Sequence, residues 1–270
     1  MFEFSYGRNG LNVDLPRGGI QGEYGPRSPG PASDPSAAIG RAIRRPCAGP
    51  RLDEIAGPGC SVAITIEDIT RPVPSHLVLP HLFETLRRSG VGERDITVIV
   101  ATGLHRPMGR EEIREVGGQL PSGVTVLNHD AFDSDELRDV GATSRGTRLY
   151  LNRHFAEADI KIVTGDVEYH QIAGYGGGGK SVLPGLCDAE AARRTHARLD
   201  QKNVSAGILD GNPVRAEIDE AARIAGVDFS INLVLDSGGR LIRAFCGDVV
   251  EAFRRAGTVH LLVVSGAQVS

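Results

Sequence analysis

Short apolar runs alternate with amphipathic segments from about residue 60 to the end of the chain. The runs that predict buried strands cover residues 61–66, 95–101, 124–127, 160–164 and 231–235, with a further strand at 241–244. Segments with helical periodicity lie between them, at about 79–89, 110–116, 188–199 and 212–225. Because strands that are apolar on both faces need helices on both sides, the pattern predicts an α/β fold with a largely parallel sheet and helices on both faces.

The helix limits are indicated by capping residues. Leu79, Leu82 and Leu86 form the apolar stripe of a helix, and Gly90 is placed to cap its C-terminus. Pro80 would cost a helical hydrogen bond unless the helix begins near it, which leaves the start of this helix open. Asp188 is expected to cap one later helix. Asn212, followed by proline, is expected to cap the next.

The N-terminal segment differs in composition from the rest. Residues 18–58 are rich in Gly, Pro, Ser and Ala, which favours extended chain, with one predicted helix at 36–43. We therefore predict an arm, residues 1–59, that packs on a main α/β domain, residues 60–256, followed by a tail at 257–270.

Composition excludes several classes of protein. Of the 270 residues, 40% are hydrophobic and 24% charged, and the net charge is −4, so neither a nucleic-acid nor a membrane partner is expected. The N-terminus has no charged leader or apolar segment of a secretory signal. The four cysteines include no CxxC pair, which fits a reducing compartment, and a cytoplasmic location is predicted.

Polar side chains follow three of the predicted strands. Residues 67–74 (EDITRPVP) offer carboxylates, a hydroxyl and an arginine, although an Asx-turn with a solvated arginine gives the same pattern. His105 follows the next strand, between Gly103 and Pro107, where a histidine could transfer a proton or simply be a surface residue. Carboxyl ends of parallel strands share one sheet edge, so these loops are expected to meet.

The third loop is glycine-rich and ends in a lysine. Residues 174–181 read GYGGGGKS, and four consecutive glycines are expected to let the backbone approach a ligand and offer N–H groups to an anion. The segment also matches GxxxxGK[ST], the phosphate-binding loop of NTPases. That alternative is weakened by Pro184 and Gly185, which would end any helix shortly after Lys180.

Four motifs, taken in order, resemble the lactate racemase family of nickel-pincer nucleotide enzymes. They are DITRP (68–72), ATGLHRP (101–107), EYHQIAGYGGGGK (168–180) and RRTHARLD (193–200). The resemblance extends from the N-terminal arm to about Ala256 and identifies residues 60–256 as similar to the N-terminal, cofactor-binding domain of that family.

The resemblance implies a role for each matching residue. His105 and His170 correspond to the two acid/base histidines, and His196 to the protein ligand of nickel. Lys180 corresponds to the lysine that holds the cofactor covalently, and Arg71 could also pair a substrate carboxylate. The implied cofactor-binding residues are Asp68, Ile69, Thr70, Arg71, Gly177, Gly178, Gly179 and Lys180.

The resemblance also implies an isomerase. The cofactor would be Ni(II)-pyridinium-3,5-bisthiocarboxylate mononucleotide, and the substrate a small 2-hydroxy acid such as lactate. One histidine would take the hydroxyl proton while hydride leaves Cα, and a keto acid would receive the hydride back on its other face. Proteins that synthesise the cofactor would be partners.

Two alternatives to an active racemase or epimerase stay open at this point. Members of the family continue into a second α/β domain that this sequence, which ends at Ser270, is expected to lack. A non-catalytic cofactor-binding module is therefore one alternative, and the phosphate-binding NTPase is the other.

Overall fold

The computed structural model describes residues 2–4, 11–14, 18, 30–71 and 73–260, and most of them surround one central sheet. The first elements are β1 (Phe2–Phe4), β2 (Leu11–Val13), α1 (Pro35–Arg44) and α2 (Leu52–Ile55). The next are β3 (Val62–Ile66), α3 (Ser75–Arg88), β4 (Ile96–Val100), α4 (Arg110–Gly117) and β5 (Thr125–Asn128). A hairpin of β6 (Leu137–Ala142) and β7 (Arg148–Asn152) leads through α5 (Arg153–Ala156) to β8 (Ile160–Asp166). The remaining elements are β9 (Tyr169–His170), β10 (Gly174–Tyr175), α6 (Ala189–His196), α7 (Pro213–Ile224), β11 (Phe229–Leu235), β12 (Leu241–Gly247) and α8 (Glu251–Val259).

The six-stranded sheet has the order β12-β11-β8-β3-β4-β5. Its strands are parallel except for β12, which pairs antiparallel with β11 at the edge. Val62 pairs with Ile96 on one side and with Ile160 on the other, so β3 lies at the centre. The chain moves outward from β3 to β5 and then returns to β8 on the other side. The predicted, largely parallel sheet is confirmed.

Apolar side chains from alternate strand positions form a core on each face of the sheet. On one face Ile64 and Val98 pack with Leu79 and Leu82 of α3. On the other face Ala63, Ile99 and Val163 pack with residues of α5, α6 and α7. Alternation of side chains across a strand explains why neighbouring residues serve opposite cores. Helices on both faces are therefore confirmed.

The described part of the N-terminal segment lies along the edge strand β12. The backbone N–H of Ala32 donates to the carbonyl of Leu241 (2.7 Å), and that of Cys47 donates to the carbonyl of Cys246 (2.9 Å). Helix α1 buries Ile39 and Ile43 in the first core. These contacts satisfy polar groups that an open sheet edge would leave exposed. The division at residues 59 and 60 stays a prediction, and residues 15–17, 19–29 and 261–270 lie outside the described chain.

Several elements differ from the sequence prediction. Helix α3 begins at Ser75, so Pro80 lies inside it and not at its start, which the sequence leaves open. Pro80 lacks the N–H that would bond the carbonyl of His76, but the buried Val78, Leu79 and Leu82 hold the helix in place. The β6–β7 hairpin and α8 were not predicted, because the exposed and half-buried β6 lacks a clear alternation.

Candidate active site

The candidate site lies where the carboxyl ends of β3, β4 and β8 meet. These three parallel strands are neighbours in the sheet, and the chain adds β4 and β5 on one side of β3 but β8 on the other. Such a reversal of strand order separates the following loops and opens a crevice, which is where ligands bind in parallel sheets. The loops after β3, β4 and β8 carry Asp68, His105 and His170 into this crevice.

The crevice is a cavity of about 280 Å³. Six of the sequence-predicted site residues line it, namely Asp68, Arg71, His105, His170, Lys180 and His196. Its other lining residues are Glu67, Ala101, Thr102, Gly103, Leu104, Ser181, Pro184 and Gly185. Residues that lie up to 128 positions apart in the sequence, from Asp68 to His196, therefore surround one space.

Asp68 is bound to His105 at the rim of the cavity. The Asp68 carboxyl is buried, and its Oδ2 lies 2.6 Å from Nδ1 of His105, whose side chain is 54% exposed. Oδ1 of Asp68 accepts hydrogen bonds from the N–H (2.8 Å) and hydroxyl (2.5 Å) of Thr70. Burial alone would raise the pKa of Asp68, but the hydrogen bonds from Thr70 and His105 lower it below its ordinary value. Asp68 is therefore an anion that orients His105.

His170 is held by its own loop. Its Nδ1 accepts hydrogen bonds from the backbone N–H groups of Ile172 (3.3 Å) and Ala173 (3.2 Å). Burial lowers the pKa of His170 to about 3, with the positive charges of Lys180 and Arg71 acting in the same direction. The ring is therefore neutral near neutral pH.

His196 reaches the cavity from the C-terminal end of α6. Its Nδ1 lies 2.8 Å from the carbonyl oxygen of Ala192 in the preceding turn, so Nδ1–H donates and Nε2 keeps its lone pair. A backbone carbonyl on one ring nitrogen is a common way to orient a histidine that ligates a metal through the other nitrogen.

A buried carboxyl pair lies beside Lys180, and sequence reasoning missed both of its members. Glu67 directly follows β3, Asp166 ends β8, and each carboxyl group influences the pKa of the other. Burial and the charge of Asp166 raise the pKa of Glu67 well above its ordinary value, and burial raises that of Asp166 to about 6. Acidic residues that directly end two adjacent buried strands were the signal available in the sequence.

Lys180 lies in a short 3₁₀ turn, Gly178–Ser181, under the cavity. Burial lowers the pKa of Lys180, and the positive charge of Arg71 acts in the same direction against the opposing charge of Glu67, so that the pKa is about 8. A free amine is a nucleophile and an ammonium ion is not, so Lys180 has the chemistry needed for a covalent link.

The pKa of Lys180 predicts a pH dependence for its reactivity. Because the pKa is lowered to about 8, the free-amine fraction should rise as pH passes through about 8, about two units below the value for an ordinary lysine. Acylation of Lys180 by a small amine-reactive reagent, followed by peptide mass spectrometry over a pH series, measures this midpoint. A midpoint at the pH found for the free side-chain amine of Nα-acetyl-lysine would contradict the prediction.

Arg71 lies between the carboxylates of the cavity. Its guanidinium donates to Oε1 of Glu168 at 2.5 Å, and the Arg71 side chain is 32% exposed. The negative charges of Glu67, Glu168 and Asp166 keep the pKa of Arg71 raised despite burial. An arginine with a partly exposed guanidinium can still receive a carboxylate or a phosphate from solvent.

Of the predicted cofactor-binding residues, only Asp68, Arg71 and Lys180 are among those that line the cavity. Ile69 packs against the apolar core, and its N–H approaches the sulfur of Met108. Thr70 uses its hydroxyl on Asp68. Gly177, Gly178 and Gly179 are buried under the cavity floor. The binding roles given to these five residues stay predictions.

Close packing within the protein explains the glycine run. A Cβ on Gly179 would lie 2.8 Å from the carbonyl oxygen of Ile218 in α7, and Gly174 has φ +79° with the carbonyl oxygen of Ile208 at 2.1 Å from the Cβ position. Neither contact tolerates a side chain. The N–H of Gly178 donates to Oδ1 of Asn232 at 2.8 Å. This one N–H is therefore engaged within the protein, and the prediction that other N–H groups of the run face an anion stays a prediction.

The same segment does not have the geometry of a phosphate-binding loop. That loop opens directly from a strand into an α-helix whose N-terminal N–H groups hold the phosphates. Here Gly178–Ser181 is a 3₁₀ turn, and the backbone then turns again before α6 begins at Ala189. The structure therefore does not support the NTPase alternative.

Membrane-spanning helices and ready-made clusters of metal ligands are both absent from the described residues. Within residues 30–71 and 73–260 and the short N-terminal stretches, every helix is too short or too polar to cross a bilayer. In the same part of the chain, no group of three or more His, Cys, Asp or Glu residues is arranged to hold a metal ion.

Comparison with known proteins gives consistent matches. A family model described as the lactate racemase N-terminal domain matches residues 6–207. A lactate racemase of Thermoanaerobacterium thermosaccharolyticum is 31% identical over 255 residues, which are 93% of this chain and 60% of the relative. A lactate racemase of Lactiplantibacillus plantarum is 33% identical over 222 residues, 81% of this chain and 52% of the relative.

A solved structure supports the same relationship. The lactate racemase apoprotein of Thermoanaerobacterium thermosaccharolyticum matches with a TM-score of 0.84 and 28% identity, covering 97% of this chain and 62% of that one. The chain thus spans between half and two thirds of the length of these relatives.

Proposed function

The chain belongs to the lactate racemase N-terminal domain family, and from this premise we propose that it forms the cofactor-binding part of a 2-hydroxy acid racemase or epimerase. The observation that carries the proposal is the convergence of His105, His170, Lys180 and His196 on one cavity. The sequence motifs alone could not guarantee that these side chains meet.

The residues present fit a nickel-pincer nucleotide. The lowered pKa of Lys180 makes its amine available for a covalent link. His196 offers an Nε2 lone pair, and imidazole nitrogen is a suitable donor for nickel. Oε2 of Glu67 is buried without a hydrogen-bond partner at the cavity wall, so the wall has an acceptor to offer a bound polar group.

We assign the other binding roles on the basis of these positions of Lys180 and His196. Asp68, Ile69, Thr70 and Arg71, together with Gly177, Gly178 and Gly179, would hold the nucleotide, with Lys180 as the covalent residue and His196 as the nickel ligand. The bound group would supply the hydride chemistry, which side chains cannot perform.

The protein's own residues would handle the substrate. Arg71 would pair the carboxylate of lactate or a related 2-hydroxy acid, since its guanidinium is partly exposed in the cavity. His105 and His170 would hold or exchange the hydroxyl proton on the two sides of the bound acid. A planar keto-acid intermediate explains why two histidines are present where one would suffice for a dehydrogenase.

Racemisation of lactate by the chain, joined to the second domain of a family member and produced together with the cofactor-biosynthesis proteins, tests this proposal. We expect conversion of L-lactate to D-lactate, and we expect His105→Ala to lower its rate by about 100-fold or more, the usual contribution of a positioned acid/base group. His81→Ala is the control, because His81 lies on α3 and contacts Ser36 rather than the cavity. A loaded chain that leaves lactate unchanged, or equal rates in wild type and His105→Ala, would contradict the proposal.

Three further features follow from the same proposal. The 60–256 region would be the cofactor-binding domain, with the 1–59 arm as its support and the rest of a family member completing the cleft. Cofactor-biosynthesis proteins would be its partners. Its place would be the cytoplasm, where the cysteines stay reduced.

A further inference from the structure

The two cavity histidines proposed to exchange the substrate proton are bound in opposite ways. Both use Nδ1 for a contact within the protein, which leaves Nε2 as the other ring nitrogen. The partner of Nδ1 is a carboxylate for His105 and a pair of backbone N–H groups for His170. Because a neutral imidazole carries one N–H, the partner of Nδ1 decides whether Nε2 is an acceptor or a donor.

At His105 the partner accepts. Oδ1 of Asp68 is occupied by the N–H and hydroxyl of Thr70, so Oδ2 faces Nδ1 of His105 at 2.6 Å. An ionised carboxylate can only accept, and the hydrogen bonds to Asp68 favour its ionised form. Nδ1 of His105 therefore carries the hydrogen, and Nε2 keeps the lone pair of a base.

At His170 the partners donate. The N–H groups of Ile172 and Ala173 both point at Nδ1, at 3.3 and 3.2 Å, so this nitrogen accepts and carries no hydrogen. Nε2 of His170 then carries the N–H. Protonating the ring would set an Nδ1–H against two backbone donors, a contact that costs free energy in a partly buried site.

We propose that Asp68 and the backbone at Ile172–Ala173 preset opposite tautomers, so that His105 starts as the proton acceptor and His170 as a hydrogen-bond donor to substrate oxygen. Asp68 is then a positioning residue, acting through His105 in addition to any contact with the nucleotide. The mechanistic reading rests on the proposed function, whereas the tautomers themselves belong to the cofactor-free chain.

The proposal makes the two halves of the reaction unequal. The enantiomer whose hydroxyl faces His105 meets a ready base. The enantiomer whose hydroxyl faces His170 meets an N–H and not a base. His170 becomes a base only after its Nδ1 is released by the N–H groups of Ile172 and Ala173, which lie in the loop between β9 and β10. The two enantiomers have equal free energy, so kcat/KM must be the same in both directions. The difference is therefore expected in kcat and KM taken separately for each enantiomer.

The ¹⁵N chemical shifts of the histidine rings test the proposal directly. In the cofactor-free chain labelled with ¹⁵N-histidine, two-bond ¹H–¹⁵N correlation at neutral pH identifies which ring nitrogen is protonated. His105→Gln and His170→Gln assign the two signals. We expect Nδ1–H at His105 and Nε2–H at His170, and the same tautomer at both residues would overturn the proposal.

Asp68→Asn should change the tautomer of His105. The Thr70 donors would fix the amide oxygen at the Oδ1 position, which would turn the amide NH₂ toward Nδ1 of His105. Nδ1 would then accept, and the hydrogen would move to Nε2. The control is Asp159→Asn, because Asp159 similarly accepts from the N–H and hydroxyl of Ser61, at the opposite end of β3.

A merely structural role for Asp68 would not move these signals selectively. The proposal requires that Asp68→Asn switches His105 while His170 keeps its Nε2–H, and that Asp159→Asn changes neither. An unchanged His105 tautomer in Asp68→Asn would overturn it. Failure of lactate racemisation would contradict the proposed function without altering these spectra, so the two outcomes are distinguishable.

Discussion

Replacing His196 with alanine is expected to remove nickel from the loaded chain while the covalent adduct on Lys180 stays. His196 contributes an oriented imidazole, with Nδ1–H bound to the carbonyl of Ala192 and Nε2 left as donor. Loss of an outer partner alone costs about 10–100-fold in metal affinity. Loss of the ligand itself should exceed that, so that nickel measured by mass spectrometry falls from stoichiometric to background.

A matched control separates this effect from general damage. His154→Ala removes another half-exposed helical histidine, which approaches Glu136 rather than the cavity. We expect nickel content to be unchanged in that variant. Retention of stoichiometric nickel in His196→Ala would show that this histidine is not the ligand.

Replacing Arg215 with methionine is expected to destabilise the fold by about 3–5 kcal/mol, as breaking a buried ion pair does. Arg215 of α7 is 1% exposed and stands over the ring of Phe253 at 4.1 Å. Its guanidinium donates to the carbonyls of Ala173, Tyr175 and Gly177 and pairs with Asp219. The substitution leaves these carbonyls unsatisfied and Asp219 buried without its partner.

Urea denaturation measures this loss, and Arg254→Met is the control. Arg254 of α8 pairs with Asp210 at 2.8 Å, but the two side chains are 44% and 89% exposed. Exposed pairs contribute at most about 1 kcal/mol. Equal losses of unfolding free energy in the two variants would mean that Arg215 does not hold the glycine-rich segment.

The pattern of apolar residues was sufficient to predict the central strands and the helices that cover them. The buried strands β3, β4, β8 and β11 are short apolar runs, and Asp188 and Asn212 cap α6 and α7 as their residue types predict. The β6–β7 hairpin escaped prediction because its burial pattern is irregular. The start of α3 could not be predicted, because tertiary packing of its apolar face outweighs the cost of Pro80.

Only those site residues that directly follow a buried strand could be predicted to lie together. His105 and Asp68 follow buried strands, so their neighbourhood could be inferred from topology. The position of His196 in the cavity depends on how α6 packs, which no spacing along the chain expresses. Glu67 and Asp166 were missed because an acidic residue at a strand end usually faces solvent. The close packing of the glycine run, such as that of Gly179 against Ile218, could not be predicted because its partners lie in distant parts of the same chain.

The most direct test of the account is the intact mass of the chain after production with the cofactor-biosynthesis proteins. The account predicts a covalent increase in mass that maps to the peptide of Lys180, is absent in Lys180→Ala and is retained in Lys202→Ala, a change at an exposed lysine. An unmodified wild-type chain without nickel, or an adduct that persists in Lys180→Ala, would contradict it.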